Sequence, residues 1–181
     1  HRDIKPDNII LTSDGKIKLA DLGLARKVSE MGDEGPEELF GTPQYISPEQ
    51  ILGGKADVRS DIYSLGATLY YTLTGRFPYS GETPTQIARR HLTDPLIPIS
   101  DLVSDVPVAV EHVVGVMLAK RPDDRYVDAA ALVEDLRAVA AGGFPAYDLV
   151  DGSQAPIAFE DESEEEEPLA AVASTPVPAA A

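Results

Sequence analysis

The strongest signal in this sequence is its first eight residues, His1-Arg2-Asp3-Ile4-Lys5-Pro6-Asp7-Asn8. Within this octapeptide, Asp3, Lys5 and Asn8 bring a carboxylate, an ammonium group and a neutral amide within a few residues of one another. Taken alone, such a stretch could be no more than a polar turn after a helix. The residues that follow decide whether these three side chains serve one site.

Downstream, the sequence predicts one hairpin, one long loop and then a bundle of helices. Residues 9–20 contain two short apolar runs on either side of Ser-Asp-Gly, which is a turn signal between two strands. The alternation in residues 17–19 is typical of a half-buried strand. Residues 26–41 are polar and acidic with Gly and Pro, so we expect a mobile loop. Helical periodicity then predicts helices over 58–74, 85–92, 107–118 and 126–141.

Four further motifs follow the octapeptide. Asp21-Leu22-Gly23 comes directly after the predicted hairpin. The segment 41–49 is Gly-Thr-Pro-Gln-Tyr-Ile-Ser-Pro-Glu, and 57–66 opens the longest predicted helix with Asp-Val-Arg-Ser-Asp-Ile-Tyr-Ser-Leu-Gly. The stretch 121–125 is Arg-Pro-Asp-Asp-Arg. Each motif is common alone, and their order is the informative feature.

In that order the motifs resemble those of protein kinases, and across residues 1–139 the chain is similar to the bacterial, eukaryotic-like serine/threonine kinases. The resemblance implies an α+β fold that is predominantly α-helical: a protein kinase-like C-terminal lobe with a β-hairpin, an activation loop and a helical bundle. It places the catalytic domain over 1–141. Residues 142–181, rich in acids, Pro and Ala, are expected to form a disordered tail.

The implied activity is ATP-dependent transfer of a phosphoryl group to Ser and Thr hydroxyls of protein substrates. This reaction needs positioning and charge neutralisation more than covalent chemistry. By resemblance, Asp3 orients the substrate hydroxyl and Lys5 stabilises the transferring group. Asn8 and Asp21 would hold Mg²⁺, or Mn²⁺ in its place, and together with Lys5 would bind the ATP phosphates. Thr42 matches the residue that hydrogen-bonds the catalytic Asp and Lys in serine/threonine kinases.

Other matching residues are expected to hold the site in shape. Glu49 should pair with Arg125, and the loss of one partner of such a buried pair typically costs about 3–5 kcal/mol. Asp61 should accept backbone N–H bonds from the octapeptide. By itself, Asp61 could equally be an ordinary acid in the first turn of a helix.

The triplet at 21–23 stands where the family has Asp-Phe-Gly. Leu22 keeps an apolar side chain beside Gly23 but lacks the aromatic ring. We therefore expect that the phosphoryl-transfer reaction tolerates this residue and that the equilibrium between active and inactive conformations is altered. By resemblance, the ring of His1 packs against Leu22.

The predicted loop suggests how the site is regulated. Many relatives with an Arg in the position of Arg2 need a phosphorylated loop residue to neutralise it. Between residues 21 and 41, however, the only hydroxyl side chain is Ser29. Our hypothesis is that Glu37 or Glu38 takes the place of the phosphate, with less charge and therefore a weaker clamp. The alternative is a solvated acidic loop.

Neither the Gly-rich phosphate loop nor the strand Lys and helix Glu of the kinase N-terminal lobe occurs in this sequence. We therefore expect the missing N-terminal lobe of the same kinase as a partner, and a fragment that by itself binds ATP·Mg poorly and turns over negligibly. Two other functions stay open: a pseudokinase scaffold and, less favoured, a small-molecule phosphotransferase. The catalytic residues present in this stretch argue against the first, and the peptide-side segment 41–49 argues against the second.

Composition narrows the remaining classes. The chain has 31 acidic and 15 basic residues, a net charge of −16, so a polyanion such as nucleic acid is not an expected partner. It has no cysteine, which excludes disulfides and thiolate metal sites, and its three histidines form no metal set. No apolar run approaches the roughly 20 residues that span a bilayer. We expect a cytoplasmic protein whose parent could be membrane-anchored through a downstream helix.

Overall fold

A computed structural model describes residues 1–20 and 42–158 of the chain. Its sheet is a two-stranded antiparallel hairpin of β1 (Ile9–Leu11) and β2 (Ile17–Leu19), with Ile9 opposite Leu19. Gly15 lies in the turn with a left-handed φ of 78°, a conformation that favours glycine. The predicted hairpin is therefore confirmed.

Both strands leave apolar side chains open to solvent. Leu11 is 70% exposed and Ile17 is 73% exposed. The prediction of a half-buried strand at 17–19 is wrong for the described part of the chain, since all three residues of β2 are exposed. Alternation of apolar and polar residues indicates which face could be covered, and no described element covers that face.

The rest of the regular secondary structure in the described residues is helical. In the described residues the α-helices are α1 (Pro48–Ile51), α2 (Val58–Thr74), α3 (Pro84–Thr93), α4 (Val108–Met117) and α5 (Ala129–Ala140). Short 3-10 turns lie at Pro6–Asn8, Pro43–Tyr45, Ile99–Asp101 and Pro122–Asp124.

The central helix, α2, has the predicted bounds because both of its ends are encoded locally. Asp57 caps its first turn by accepting a hydrogen bond from the backbone N–H of Arg59. Gly75 ends it in the left-handed conformation with φ of 68°. Gly66 lets α4 approach closely, because a Cβ added there would lie only 2.8 Å from the Cβ of Met117.

Two hydrophobic clusters form the core. Their buried members come from α2, α4 and α5, from the turn that ends at Tyr45 and from the segments on either side of α4, so these elements are packed as one unit. The first cluster is Tyr45, Tyr63, Ala67, Tyr70, Ile99, Val114 and Leu118. The second is Ile62, Val113, Val116, Met117, Tyr126 and Leu132.

The last helix begins later than predicted. Periodicity started it at residue 126, whereas α5 begins at Ala129 after Asp128, whose carboxylate accepts a hydrogen bond from the backbone N–H of Ala131. Tyr126 lies before the helix with its ring in the core, and its hydroxyl donates to Asp135 Oδ2 at 3.0 Å. The N-cap residue therefore decides the start of the helix in preference to the apolar pattern.

The chain after α5 packs back onto the helices. The carboxylate of Asp135 accepts hydrogen bonds from the backbone N–H groups of Ala146 (2.7 Å) and Tyr147 (3.0 Å). Farther along, Ser153 is buried, and the backbone N–H of Ile157 donates to the carbonyl of Leu92 at 3.0 Å. The expectation of an unpacked tail from residue 142 is thus wrong for 142–158, because its backbone groups find partners that periodicity does not reveal. Residues 159–181 lie outside the described part.

Candidate catalytic site

The structure brings the side chains of Asp3, Lys5, Asn8 and Thr42 into one hydrogen-bonded cluster. Lys5 Nζ lies 2.9 Å from Asp3 Oδ2 and donates to Thr42 Oγ1 at 2.8 Å. Asn8 Nδ2 donates to the backbone oxygen of Asp3 at 2.8 Å and to its Oδ2 at 3.1 Å. Two donors therefore converge on one carboxylate oxygen, which fixes the carboxylate's orientation. Within the described residues, Oδ1 has no hydrogen bond.

This cluster is held on the bundle by the first turn of α2. The carboxylate of Asp61 accepts a hydrogen bond from the backbone N–H of Arg2 at 2.8 Å and one from the amino group of His1 at 2.8 Å. Arg2 has a left-handed φ of 69°, which is uncommon for a residue with a side chain and marks a backbone held in place by its surroundings. Asp61 thus accepts a backbone N–H bond from the octapeptide, as the resemblance implied.

The pair proposed from sequence between Glu49 and Arg125 is present as a buried bidentate contact. Arg125 Nη1 and Nη2 each lie 2.8 Å from a different carboxylate oxygen of Glu49, and Arg125 is only 1% exposed. Its guanidinium lies over the ring of Tyr63, 4.7 Å from the centroid. Its other N–H donors reach the carbonyls of Arg59, Ala119 and Lys120. The pair ties the segment after Thr42 to the far end of the bundle.

The electrostatics of this pair favour the charged form of Glu49. Burial alone would raise the pKa of Glu49, but hydrogen bonds and charge from Arg125, with a further bond from the hydroxyl of Ser60 at 2.6 Å, outweigh burial and hold that pKa below its usual value. A carboxylate satisfied in this way fixes geometry and is not available as a base.

Several predicted site residues lie outside the described residues. They are Asp21, Leu22, Gly23, Glu37 and Glu38. The packing of His1 on Leu22 therefore stays a prediction, and in the described part the ring Nε2 of His1 donates to the carbonyl of Ala20 at 3.0 Å. The roles assigned to the other residues likewise stay predictions.

The donor set of the cluster suits a hard cation. With Nδ2 of Asn8 committed to Asp3, its Oδ1 is left as a neutral oxygen ligand, the type that Mg²⁺ prefers. In the described ranges no three His, Cys, Asp or Glu residues are grouped as a metal site. Asp21, which the resemblance pairs with Asn8 as a magnesium ligand, lies outside the described residues.

Sequence reasoning missed a second polar cluster at the foot of the bundle. Lys120 and His91 are both fully buried. Lys120 Nζ donates to the hydroxyl of Tyr79 at 2.7 Å and to the carbonyl of His91 at 2.8 Å. The signal in the sequence was weak, because a Lys after an apolar helix is normally exposed and an isolated His is normally unremarkable.

Two concave regions lie near these clusters. A small cleft beside the octapeptide is lined by residues that include Asp3, Thr42 and Tyr45. A larger open groove of about 710 Å³ lies between α1, the 121–124 turn and residues 150–158, away from Asp3. The larger groove thus includes Glu49 and Lys120 in its lining but lies apart from the cluster of Asp3, Lys5, Asn8 and Thr42.

None of the helices in the described residues has both the length and the apolar character needed to cross a bilayer.

Comparison with known proteins identifies the family. The family model described as "Protein kinase domain" matches residues 1–135. The chain is 41% identical over 140 residues to the serine/threonine-protein kinase PknL of Mycobacterium tuberculosis, covering 77% of this chain and 35% of the relative. It is 41% identical over 147 residues to PknB of Mycolicibacterium smegmatis, covering 80% and 24%. A probable serine/threonine-protein kinase of Clostridium acetobutylicum is 39% identical over 136 residues, covering 75% and 21%. The chain spans about a third or less of each relative's length.

Proposed function

Because this chain belongs to the protein kinase family, we propose that the protein containing it transfers the γ-phosphoryl group of ATP to Ser and Thr hydroxyls of proteins. The observation that carries the proposal is the convergence of Lys5, Asn8 and Thr42 on Asp3. Each of these residue types has a defined task in phosphoryl transfer. ATP·Mg, or ATP·Mn, would supply the transferring group and neutralise the charge of its phosphates when bound.

In this mechanism the carboxylate of Asp3 accepts the hydrogen bond of the substrate hydroxyl and orients its oxygen for attack. Its Oδ2 is held by Lys5 and Asn8, so Oδ1 is the oxygen that can face the hydroxyl. Lys5 Nζ, anchored on Thr42 Oγ1, provides a fixed positive charge where negative charge develops on the transferring oxygens. Asn8 and Asp21 would hold the divalent cation.

The segment 42–49 would form the platform for the peptide around the substrate hydroxyl. Thr42 contacts Lys5 at one end of this platform, and Glu49 is clamped by Arg125 at the other. Tyr45 is buried between them with its ring edge on Phe77, at a centroid distance of 5.9 Å. These contacts support a protein substrate over a small molecule, which would need no such platform.

The exposed apolar side chains of the hairpin suggest that a further part of the protein packs on it and completes the enzyme. Leu11 and Ile17, with Ile10 and Leu19, expose apolar side chains on both strands. Burying such side chains is favourable by roughly 25 cal/mol per Å² of apolar surface. We propose that the N-terminal lobe of the same kinase covers this hairpin, and that residues 1–141 without that lobe bind ATP·Mg poorly.

Two further assignments belong to the same proposal. Glu37 or Glu38 would neutralise Arg2 without phosphorylation, and replacing both with Lys in the complete kinase should then reduce activity. Undiminished activity would show instead an acidic loop without this role. We place the catalytic part in the cytoplasm, where ATP is supplied, with any membrane anchor downstream of the tail.

The direct test uses the full-length protein with Asp3→Asn. We expect phosphate transfer from ATP to a threonine peptide to fall by about 10²–10⁴-fold, the range of a lost general base. Asp14→Asn is the matched control, because Asp14 lies in the exposed hairpin turn with Lys16 as its salt-bridge partner. A wild-type protein that binds ATP but transfers nothing would favour the pseudokinase, and unchanged activity of Asp3→Asn would contradict the mechanism.

A further inference from the structure

The chain after α5 runs back past α4 to the end of α3, and we call residues 144–158 of it the strap. Near its start, the ring of Tyr147 packs on the ring of Tyr126 at a centroid distance of 4.7 Å. The carbonyl of Tyr147 lies 2.7 Å from Nε2 of His112 in α4, and two backbone N–H groups of the strap donate to Asp135 in α5. The strap is therefore part of the folded bundle, although it follows α5.

The middle of the strap is bonded to the short segment 118–120, which directly follows α4. The backbone N–H of Lys120 donates to the carbonyl of Ser153, a buried residue, at 2.8 Å. In the other direction, the side-chain Nε2 of Gln154 donates to the carbonyl of Leu118 at 3.0 Å. The strap and segment 118–120 thus fix each other's position through two hydrogen bonds, and one of them comes from a side chain that can be exchanged by mutation.

Segment 118–120 also holds Arg125, whose guanidinium binds the far end of the peptide platform. The carbonyls of Ala119 and Lys120 accept hydrogen bonds from Arg125 at 2.8 Å and 3.0 Å. Arg125 in turn donates to both carboxylate oxygens of Glu49. An unbroken series of hydrogen bonds therefore runs from the strap through segment 118–120 and Arg125 to the end of the platform.

A second connection of the strap reaches the end of α3. The last carbonyls of a helix have no partner within the helix, and here two of them are satisfied from outside. The carbonyl of His91 accepts a hydrogen bond from Lys120 Nζ at 2.8 Å. The carbonyl of Leu92 accepts one from the backbone N–H of Ile157, in the strap, at 3.0 Å. Because α3 packs on α1 and on the Pro43–Tyr45 turn, this contact also leads to the platform.

The way in which the strap is held permits its release. Of its side chains only Pro145 and Ser153 are buried, and Leu149 is 41% exposed. Just before the strap, Gly142 has a left-handed φ of 82°, so a residue with a wide choice of backbone conformations joins the strap to α5. A segment with few buried side chains opens at a lower free energy than the core beneath it. The strap can therefore leave the bundle while the helices stay folded.

We propose that the strap regulates the peptide side of the site: docked, it holds Arg125 and the end of α3 in place, and released, it lets both shift and weakens the binding of peptide. Gln154 and Ile157 make the decisive contacts, because they connect the strap to the two elements that border the platform. A partner that binds the strap would act on the platform through them. This regulation rests on the proposed kinase function and deepens it.

The first test breaks the contact between the strap and α3 in the full-length protein. Ile157→Pro removes the N–H that donates to Leu92, whereas Ile157→Ala keeps that N–H and is the matched control. We expect amide hydrogen exchange in the last turn of α3 to be about three- to tenfold faster in Ile157→Pro, which is the effect of about one net hydrogen bond. For a degenerate peptide mixture with a fixed central threonine, kcat/KM should fall by a similar factor through a higher KM, while KM for ATP stays within about twofold.

Gln154→Glu keeps the inference falsifiable if Ile157→Pro does not fold. This change retains the shape of the side chain but replaces the donor with a carboxylate that faces the carbonyl of Leu118, so it should release the strap from segment 118–120. Ala155→Glu adds the same charge at the neighbouring exposed residue and is the matched control. We expect faster exchange in segment 118–120 and a loss of about tenfold in kcat/KM for the peptide in Gln154→Glu, and neither change in Ala155→Glu.

Wild-type exchange in both variants would overturn the inference, because the strap would then not hold these elements. Faster exchange with an unchanged KM for the peptide, or with an equal rise of both KM values, would reduce the strap to a general structural role and would overturn it as well. A wild-type protein that phosphorylates no peptide in the mixture would instead reject the kinase function. The exchange measurements would in that case still show whether the strap holds α3.

Discussion

The octapeptide cluster and the Glu49–Arg125 pair both bring a cation and a carboxylate together, but the hydrogen-bonding capacity of the two groups is satisfied differently. At Asp3 and Lys5 the side chains are 12% and 22% exposed, and the carboxylate keeps one oxygen without a hydrogen bond in the described residues. At Arg125 the guanidinium side chain is 0% exposed, and its nitrogens bond both oxygens of Glu49 and three carbonyls. A polar group with spare bonding capacity can receive a substrate, whereas a fully bonded one can only hold shape.

The largest effect expected from this contrast is a loss of stability in Arg125→Met. The change leaves the carboxylate of Glu49 buried without its partner, so we expect the free energy of unfolding to fall by about 3–5 kcal/mol. Chemical denaturation of the full-length protein measures this free energy. Hydrogen exchange then shows whether α1 and α2 lose protection.

Arg59→Met is the matched control for that prediction. Arg59 also pairs with carboxylates, Asp57 and Asp123, but Asp123 is 79% exposed, and such surface pairs contribute only about 0–1 kcal/mol. Equal losses in the two variants would show that burial does not separate them and would remove the basis of the comparison.

The second prediction concerns acid. The pKa of His91 is lowered from 6.5 to about 3, first by burial and then by the charge of Lys120. The unfolded chain therefore binds a proton between these values while the folded chain does not, so stability is lost as pH falls below 6.5. By about pH 5 the loss should be about 2 kcal/mol.

His91→Leu should flatten this pH dependence, because the variant has no group to protonate at that position. His112→Leu should keep the wild-type dependence of unfolding free energy on pH. The comparison is made above the pH range in which Glu49 titrates, because the pKa of Glu49 is also held below its usual value and its protonation would add a second loss of stability. Urea unfolding at several pH values gives the slopes. A wild-type slope in His91→Leu would show that another group carries the acid sensitivity.

The sequence predicted the elements whose signals are local. The bounds of α2 follow from an apolar stripe with Asp57 before it and Gly75 after it, and the hairpin follows from the turn around Gly15. The resemblance to protein kinases predicted the pairing of Glu49 with Arg125, which are 76 residues apart in the sequence, too far for helical or strand periodicity to relate them. That contact depends on the whole fold, and only the order of the motifs made it predictable.

The sequence could not reveal contacts made by backbone groups or by buried cations. Residues 142–158 dock through main-chain N–H groups that donate to Asp135 and to the carbonyl of Leu92, and a backbone donor leaves no mark in the sequence. Lys120 looks like a surface residue by type, yet burial lowers its pKa to about 7. Its burial arises from the approach of α3 and Tyr79, which is a tertiary event.

Within the octapeptide, Lys5→Met should reduce stability less than Arg125→Met does. Lys5 pairs with the mostly buried carboxylate of Asp3, but Asn8 still donates to the same oxygen when Lys5 is removed, so the loss should be about 1–3 kcal/mol of unfolding free energy. Activity should nevertheless fall by about 10²–10³-fold, because the fixed charge at the transferring group is lost. Denaturation and peptide phosphorylation on the same preparation separate the two effects. A loss of stability as large as that of Arg125→Met would mean that Lys5 holds the fold, and that its hydrogen bond to Thr42 is structural before it is catalytic.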